Sequence, residues 1–145
     1  MKQLDKYNHI ARNGTESANQ IALFAWAADN REEYPMLEIM HHIPNGGHRN
    51  KSTANRLRLE GVRAGVPDIF LPFPSKGFHG LYIELKAPNM RPQMVWNPRD
   101  KVGAIGGLSP SQKKMAVKLF DCGYDWRVCY GWEEAANTII NYLEI

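Results

Sequence analysis

Residues 65–88 read GVPDIFLPFPSKGFHGLYIELKAP, two apolar runs separated by prolines and glycines. Such breakers between strand-like runs predict two neighbouring strands joined by a loop. Asp68 opens the first run, and Glu84 and Lys86 close the second. Because alternate residues of a strand share a face, we expect Glu84 and Lys86 to point the same way and Leu85 to point into the opposite layer. Pairing of the two strands would bring Asp68 beside Glu84.

Two adjacent carboxylates repel each other, and their burial is unfavourable unless a cation compensates them. Carboxylate oxygens suit Mg²⁺ or Mn²⁺ better than zinc, and Mg²⁺ commonly keeps open positions for water and substrate phosphates. A lysine beside such a cation can orient the nucleophile or stabilise charge that develops on phosphorus. Asp68, Glu84 and Lys86 therefore match the requirements of phosphodiester hydrolysis, although ordinary strand-end residues would produce the same spacing.

Two predicted helices support the hydrolytic interpretation. Glu16 and Gln20 lie one helical turn apart, so their side chains share a face and could extend the acidic site. Ser111 and Gln112 fall in the first turn of a helix that Ser109 and Pro110 are well suited to begin. Side chains and backbone N–H groups at such a position can bind a phosphate.

The remaining patterns predict a mixed α/β domain around a small central sheet, with elements in the order α, β, α, β, β, α, β, α. Residues 1–14 form a polar lead-in, and Thr15 is expected to cap a helix that Pro35 ends. Residues 37–43 read as a strand, and Ser52 or Thr53 as the cap of a short helix. Residues 87–108 are expected to form a long loop, which in a compact domain is often functional.

The length and composition indicate the class of protein and the number of domains. The 145 residues have the length of a single domain and the composition of a globular protein, with no apolar run long enough to span a bilayer and no signal-peptide core. We therefore expect one intracellular domain over residues 1–145. The only two cysteines, Cys122 and Cys129, sit among apolar residues outside any CxxC pair, which favours reduced thiols.

Net charge is only +3, yet the basic residues are clustered. Five cations and one acid lie in residues 48–63, and a second basic segment covers residues 86–101. Such clusters beside an acidic pair suit a phosphate backbone, although a basic run is also common on solvated helix faces. The candidate DNA contacts are Gln20, Arg49, Lys51, Arg56, Arg58, Arg91 and Ser111. Trp96, in the second basic segment, could wedge against an unstacked base.

The chain resembles the VRR-NUC (virus-type replication-repair nuclease) branch of the PD-(D/E)XK nucleases, through GVPDIFL, IELK and LSPSQ, preceded by ExxxQ on a helix and by the turn PNGG. The resemblance runs from about Glu16 to Leu143 and implies a PD-(D/E)XK restriction-endonuclease-like core. It also implies that Asp68, Glu84 and the Leu85 backbone carbonyl hold the metal, with Glu16 as a further acidic ligand. Lys86 would be catalytic, and Gln112 would support the site.

Small single-domain relatives, of the type found in phages and bacteria, imply a homodimer that acts on branched DNA such as four-way (Holliday) junctions. The setting would be the cytoplasm of a bacterial or phage-infected cell. Two alternatives stay open at this point. One is a non-catalytic DNA-binding module on the same fold, and the other is a nuclease of the same chemistry that cuts plain duplex.

Overall fold

The computed structural model describes residues 2–45, 50–102 and 107–144. Its centre is a four-stranded sheet with the strands in sequence order. The strands are β1 His41–His42, β2 Ile69–Leu71, β3 Leu81–Lys86 and β4 Asp125–Tyr130. The first three are antiparallel neighbours, whereas β3 and β4 run parallel, as expected for two strands joined by a helical crossover. The predicted pair of strands in residues 65–88 is confirmed as β2 and β3.

The described residues contain five α-helices around this sheet. They are α1 Lys2–Ile10, α2 Glu16–Asp29, α3 Lys51–Leu59, α4 Pro110–Asp121 and α5 Trp132–Leu143. The main core lies between one face of the sheet and α1, α2 and α5, where Leu23, Ile83, Leu85 and Ile139 are buried. A smaller core joins α4 to the other face of β4. The fold is therefore the mixed α/β fold predicted from the sequence.

Local sequence explains where the two helices nearest the site begin. The Thr15 hydroxyl accepts the Ala18 N–H at 3.1 Å and caps α2, as predicted. Ser109 and Gln112 form a complete capping box at α4, with Pro110 in its first turn. Each cap satisfies backbone N–H groups that a helix start leaves unpaired and stabilises the helix by about 1 kcal/mol. Both helix starts are thereby fixed locally.

Tertiary packing changes several predicted boundaries. The polar lead-in forms α1, because Tyr7 packs against Trp132 with ring centroids 5.1 Å apart and donates to Asp29 at 2.8 Å. The helix expected to reach Pro35 ends at Asp29. Most of the strand predicted for residues 37–43 is wrong, because residues 35–39 form a 3₁₀ turn that buries Leu37. Asn50, rather than Ser52 or Thr53, caps α3.

Cys122 and Cys129 are free thiols, as expected. In residues 2–45, 50–102 and 107–144, no helix combines the length and apolarity that a membrane crossing requires.

Candidate active site

The paired carboxylates lie where β2 and β3 meet. Antiparallel register places Ile69 opposite Ile83, so Asp68 comes opposite Glu84 on the next position. The Asp68 Oδ2 atom accepts the Leu85 backbone N–H at 2.9 Å, which ties the carboxylate to β3. Leu85 itself is fully buried in the main core, as its opposite orientation predicts. The buried Leu85 side chain thus fixes β3, which carries Glu84 and holds Asp68 through the Leu85 N–H.

Glu84 is an acid held almost entirely away from solvent, with 2% of its surface exposed. Its Oε1 atom accepts the Gln112 Nε2–H at 2.8 Å and lies 3.6 Å from Lys86 Nζ. Its Oε2 atom is buried and has no hydrogen-bond partner among the described residues. A buried carboxylate oxygen without a partner is unfavourable, so this atom is free to bind a cation or a proton.

The pKa of Glu84 is raised to about 9, chiefly by burial and then by the neighbouring Asp68 and Glu16 carboxylates, while Lys86 opposes the rise. The charged form is therefore disfavoured when no cation is near. A divalent cation at this position would reverse that preference, because it would neutralise the pair and coordinate the unpartnered oxygen. The donor set of two carboxylates and a backbone carbonyl is one that Mg²⁺ or Mn²⁺ accepts.

Gln112 connects three parts of the site. Its Oε1 atom accepts the Ser109 backbone N–H at 2.8 Å and lies 3.4 Å from Lys86 Nζ, while its Nε2 donates to Glu84. Both ends of the amide are therefore in use, so its orientation is set by its partners. Gln112, which completes the capping box of α4, thus also holds the Lys86 ammonium beside the Glu84 carboxylate.

Gly65 explains how α4 comes so close, and sequence reasoning assigned it no role. A Cβ atom at this position would lie 2.2 Å from the Ser111 backbone oxygen and 3.0 Å from the Gln112 nitrogen. Gly65 also has a φ of +83°, which side-chain-bearing residues rarely adopt. A glycine just before the Pro67–Asp68 dipeptide is a visible signal, but only the structure shows which backbone it approaches.

Glu16 stands in the first turn of α2, at the edge of the site. Glu16 is exposed as a residue. Partial desolvation of its carboxylate nevertheless raises its pKa, the Asp68 carboxylate adds to the rise, and Lys86 opposes it. Among the described residues, no group of three or more His, Cys, Asp and Glu side chains is placed to hold a metal ion. Glu16 is thus near Asp68 without completing a three-ligand cluster, and its role as a ligand stays a prediction.

Asn19 contributes where sequence reasoning had named Gln20. Asn19 is buried, donates to the Thr15 carbonyl at 2.9 Å and accepts the Trp132 N–H at 3.0 Å. It thereby fixes the start of α2, and with it Glu16, to the start of α5. Gln20 is half-buried on the next position of α2. Nothing in the sequence alone distinguishes the two amides.

The candidate DNA-binding residues fall into separate groups. Lys51, Arg56 and Arg58 lie on α3, a helix with no buried residue. Arg91 pairs with Glu134 at 2.9 Å, and the Ser111 hydroxyl lies 3.0 Å from that of Ser109. Arg49, like Gly46 and Gly47 of the PNGG turn, lies outside the described residues.

Trp96 corrects one expectation. It is only 3% exposed and packs edge to face on Trp126, with ring centroids 5.5 Å apart. Because Trp96 is buried in the smaller core against β4, its ring is not available to stack on a base. The basic residues around Trp96 suggested a nucleic-acid contact, whereas its packing partner Trp126 lies thirty residues further along the chain.

Comparison with known proteins agrees with this geometry. Residues 15–133 match the VRR-NUC domain family, whose nucleases generally depend on divalent metal ions. A solved structure described as a VRR_NUC domain protein superposes with a TM-score of 0.64 and 25% sequence identity, covering 89% of this chain and 88% of that one. No curated protein matched the sequence. Because the family match spans most of the chain and includes Asp68, Glu84, Lys86 and Gln112, this chain belongs to the VRR-NUC family of nucleases.

Proposed function

We propose that the chain is a Mg²⁺- or Mn²⁺-dependent endodeoxyribonuclease that hydrolyses phosphodiester bonds in branched DNA, such as four-way junctions. The observation that carries the proposal is the Glu84 carboxylate, buried beside Asp68 with one oxygen unpartnered and the other held by Gln112 near Lys86. An acidic pair that is unfavourable without a cation, next to a fixed ammonium, suits phosphoryl transfer better than a structural role.

Asp68, Glu84 and the Leu85 carbonyl would hold the metal, and Glu16 would extend the acidic site. When bound, the cation would supply charge neutralisation and Lewis-acid activation at the scissile phosphate. In the hydrolysis, water adds its oxygen to phosphorus and the bond from phosphorus to the 3′ oxygen breaks, leaving 5′-phosphate and 3′-hydroxyl ends. Lys86 Nζ, held by Gln112, would donate a hydrogen bond to the phosphate oxygen on which charge increases.

The charged surface suits a nucleic-acid substrate. No residue of α3 is buried, and Lys51, Arg56 and Arg58 on it provide cations for phosphate contacts that do not depend on sequence. Arg49, Arg91, Gln20 and Ser111 would add further contacts. Residues 1–145 would form one nuclease domain that acts as a homodimer in the cytoplasm of a bacterial or phage-infected cell.

The test is a titration of Mg²⁺ and of Mn²⁺ against end-labelled four-way junction, flap and linear duplex of the same sequence. We expect metal-dependent product, with branched DNA cut faster than duplex. A shifted band without product at any metal concentration would establish the non-catalytic binding module instead. Equal cutting of all three substrates would establish the duplex nuclease and remove the branched-DNA preference.

A further inference from the structure

Aromatic rings continue the sheet face that carries the acidic pair. The register that places Asp68 opposite Glu84 places Phe70 opposite Tyr82 two positions along. Residues two apart on a strand share a face and lie about 7 Å apart. Phe70 and Tyr82 are therefore the row next to the carboxylates, on the same side of the sheet.

These rings form one connected group, here called the aromatic row: Phe70, Tyr82 and Tyr124, with His41 and His79 at its ends. Phe70 and Tyr82 are stacked with centroids 4.2 Å apart and planes within 17°. Tyr124 meets both edge to face, at 5.9 and 5.4 Å. His41 lies 5.8 Å from Phe70, and His79 lies 5.8 Å from Tyr124.

The aromatic row is less deeply buried than the opposite face of the sheet. On the core side, Ile69, Leu71, Leu81 and Ile83 are 0–1% exposed beneath the helices. On the row side, the three central rings are half-buried and both histidines are exposed. Tyr82 packs against the smaller core beside it, and the parts of the three rings that stay exposed form an apolar surface next to the acidic pair, of the kind that marks a binding site.

We propose that the aromatic row is a stacking surface for the unpaired bases of a single-stranded DNA segment that leads to Asp68, Glu84 and Lys86. Ring faces stack on any base and so bind without regard to sequence, and sheets use such rings to bind single strands. Bases inside a duplex are already stacked on their neighbours, which leaves only unpaired bases able to use the row. Continuity with the acidic pair on the same strands favours this occupant.

This inference rests on the proposed function and sharpens its substrate: among branched DNAs, those with a single-stranded arm at the branch are preferred to fully paired junctions. The chemistry of cleavage is unchanged by the row. Its contribution is to place the strand so that a phosphate one step from the stacked bases reaches the carboxylates.

The experiment measures stacking without cleavage. A flap substrate carries 2-aminopurine in its single-stranded arm next to the branch, and binding is followed with chelator present, so that no reaction occurs. We expect the wild-type protein to quench the probe. Tyr82→Leu should lose the quench and weaken flap binding about ten-fold, because a stacked base is lost. Tyr82→Phe keeps the ring and should retain both.

Two controls separate stacking from folding. Phe120→Leu removes a half-buried ring from the far end of α4 and should bind as the wild type does. His41→Ala removes an exposed ring that contacts Phe70 and the Ile39 carbonyl, and it should weaken flap binding with little change in thermal stability. Wild-type protein that binds without quenching, or Tyr82→Leu that quenches normally, would overturn the stacking surface. Equal losses in Phe120→Leu and Tyr82→Leu would overturn it too.

The quenching assay and the cleavage assay test the two proposals separately. Metal-dependent cutting without quenching would leave the nuclease standing and remove the aromatic row from it. Quenching without any cutting would contradict the proposed function.

Discussion

Gln112 uses one amide to cap a helix and to hold an ammonium beside a carboxylate. Removing it as Gln112→Ala should lower the cleavage rate about 10–100-fold, the usual effect of losing a residue that orients others in a metal site. DNA affinity should change little, because neither Lys86 nor the charged surface is lost. Single-turnover cleavage and binding measured together check this. Asn137→Ala, an exposed amide on α5, is the matched control; a wild-type rate in Gln112→Ala would contradict the role.

Glu84 makes the metal-free protein less stable as pH rises. Its folded-state pKa of about 9 lies above the ordinary value of 4.5, so between these two pH values the folded state binds the additional proton. The stabilisation by that proton is complete below about pH 4.5 and is lost as pH rises towards 9. Glu84→Gln copies the neutral form, so with chelator present it should exceed the wild type in free energy of unfolding by ~1–2 kcal/mol at pH 7.5.

Urea unfolding at pH 4.5 and pH 7.5 measures this difference, which should nearly vanish at the lower pH. Glu133→Gln, an exposed acid in the first turn of α5, provides the control and should show no such pH dependence. A Glu84→Gln protein less stable than the wild type at both pH values would show that the carboxylate is not held at a cost to the fold.

At the scale of elements, the site depends on how α4 meets the turn before β2. Gly65→Ala adds a methyl group where the Ser111 oxygen would lie 2.2 Å away, so the start of α4 must move and carry Gln112 with it. We expect a loss of more than about 1 kcal/mol in the free energy of unfolding and a larger loss of activity. Circular dichroism with denaturant and single-turnover cleavage measure the two effects.

Gly77 offers a matched comparison for that variant. Its φ of +84° equals that of Gly65 within a degree, but nothing lies within 4 Å of an added Cβ. Gly77→Ala should therefore show the backbone strain alone and keep full activity. Equal activity losses in the two alanine variants would mean that the contact between Gly65 and α4 does not position the site.

Local signals account for the parts of the fold that the sequence could predict. Breakers between two apolar runs marked β2 and β3, and Ser109–Pro110 marked the start of α4, because each depends on neighbouring residues. The strand expected over residues 37–43 failed, since burial of Leu37 in a 3₁₀ turn is decided by distant partners. The hydrogen bond from Gln112 to Glu84 joins residues 28 positions apart. The sequence motifs could indicate that Gln112 and Glu84 both belong to the site, but not that their side chains are in contact.

At the scale of the molecule, the proposed homodimer provides two matched sites, as symmetric nicking of a junction requires. The protein should therefore sediment at about twice its 16.5 kDa chain mass at micromolar concentration. Sedimentation equilibrium with and without a four-way junction measures this mass. A 16.5 kDa species in free solution, together with a complex that holds only one chain per junction, would rule out paired cleavage by two copies of the chain.

The central claim is that Lys86, beside a metal-binding carboxylate pair, promotes hydrolysis of DNA. Single-turnover cleavage of a labelled branched substrate by wild type and Lys86→Ala, at saturating Mg²⁺ and saturating protein, tests it most directly. Lys118→Ala, an exposed lysine at the far end of α4, is the control. We expect Lys86→Ala to bind the substrate and to cut at least 100-fold more slowly, with Lys118→Ala unaffected. Equal rates for Lys86→Ala and wild type would contradict the account.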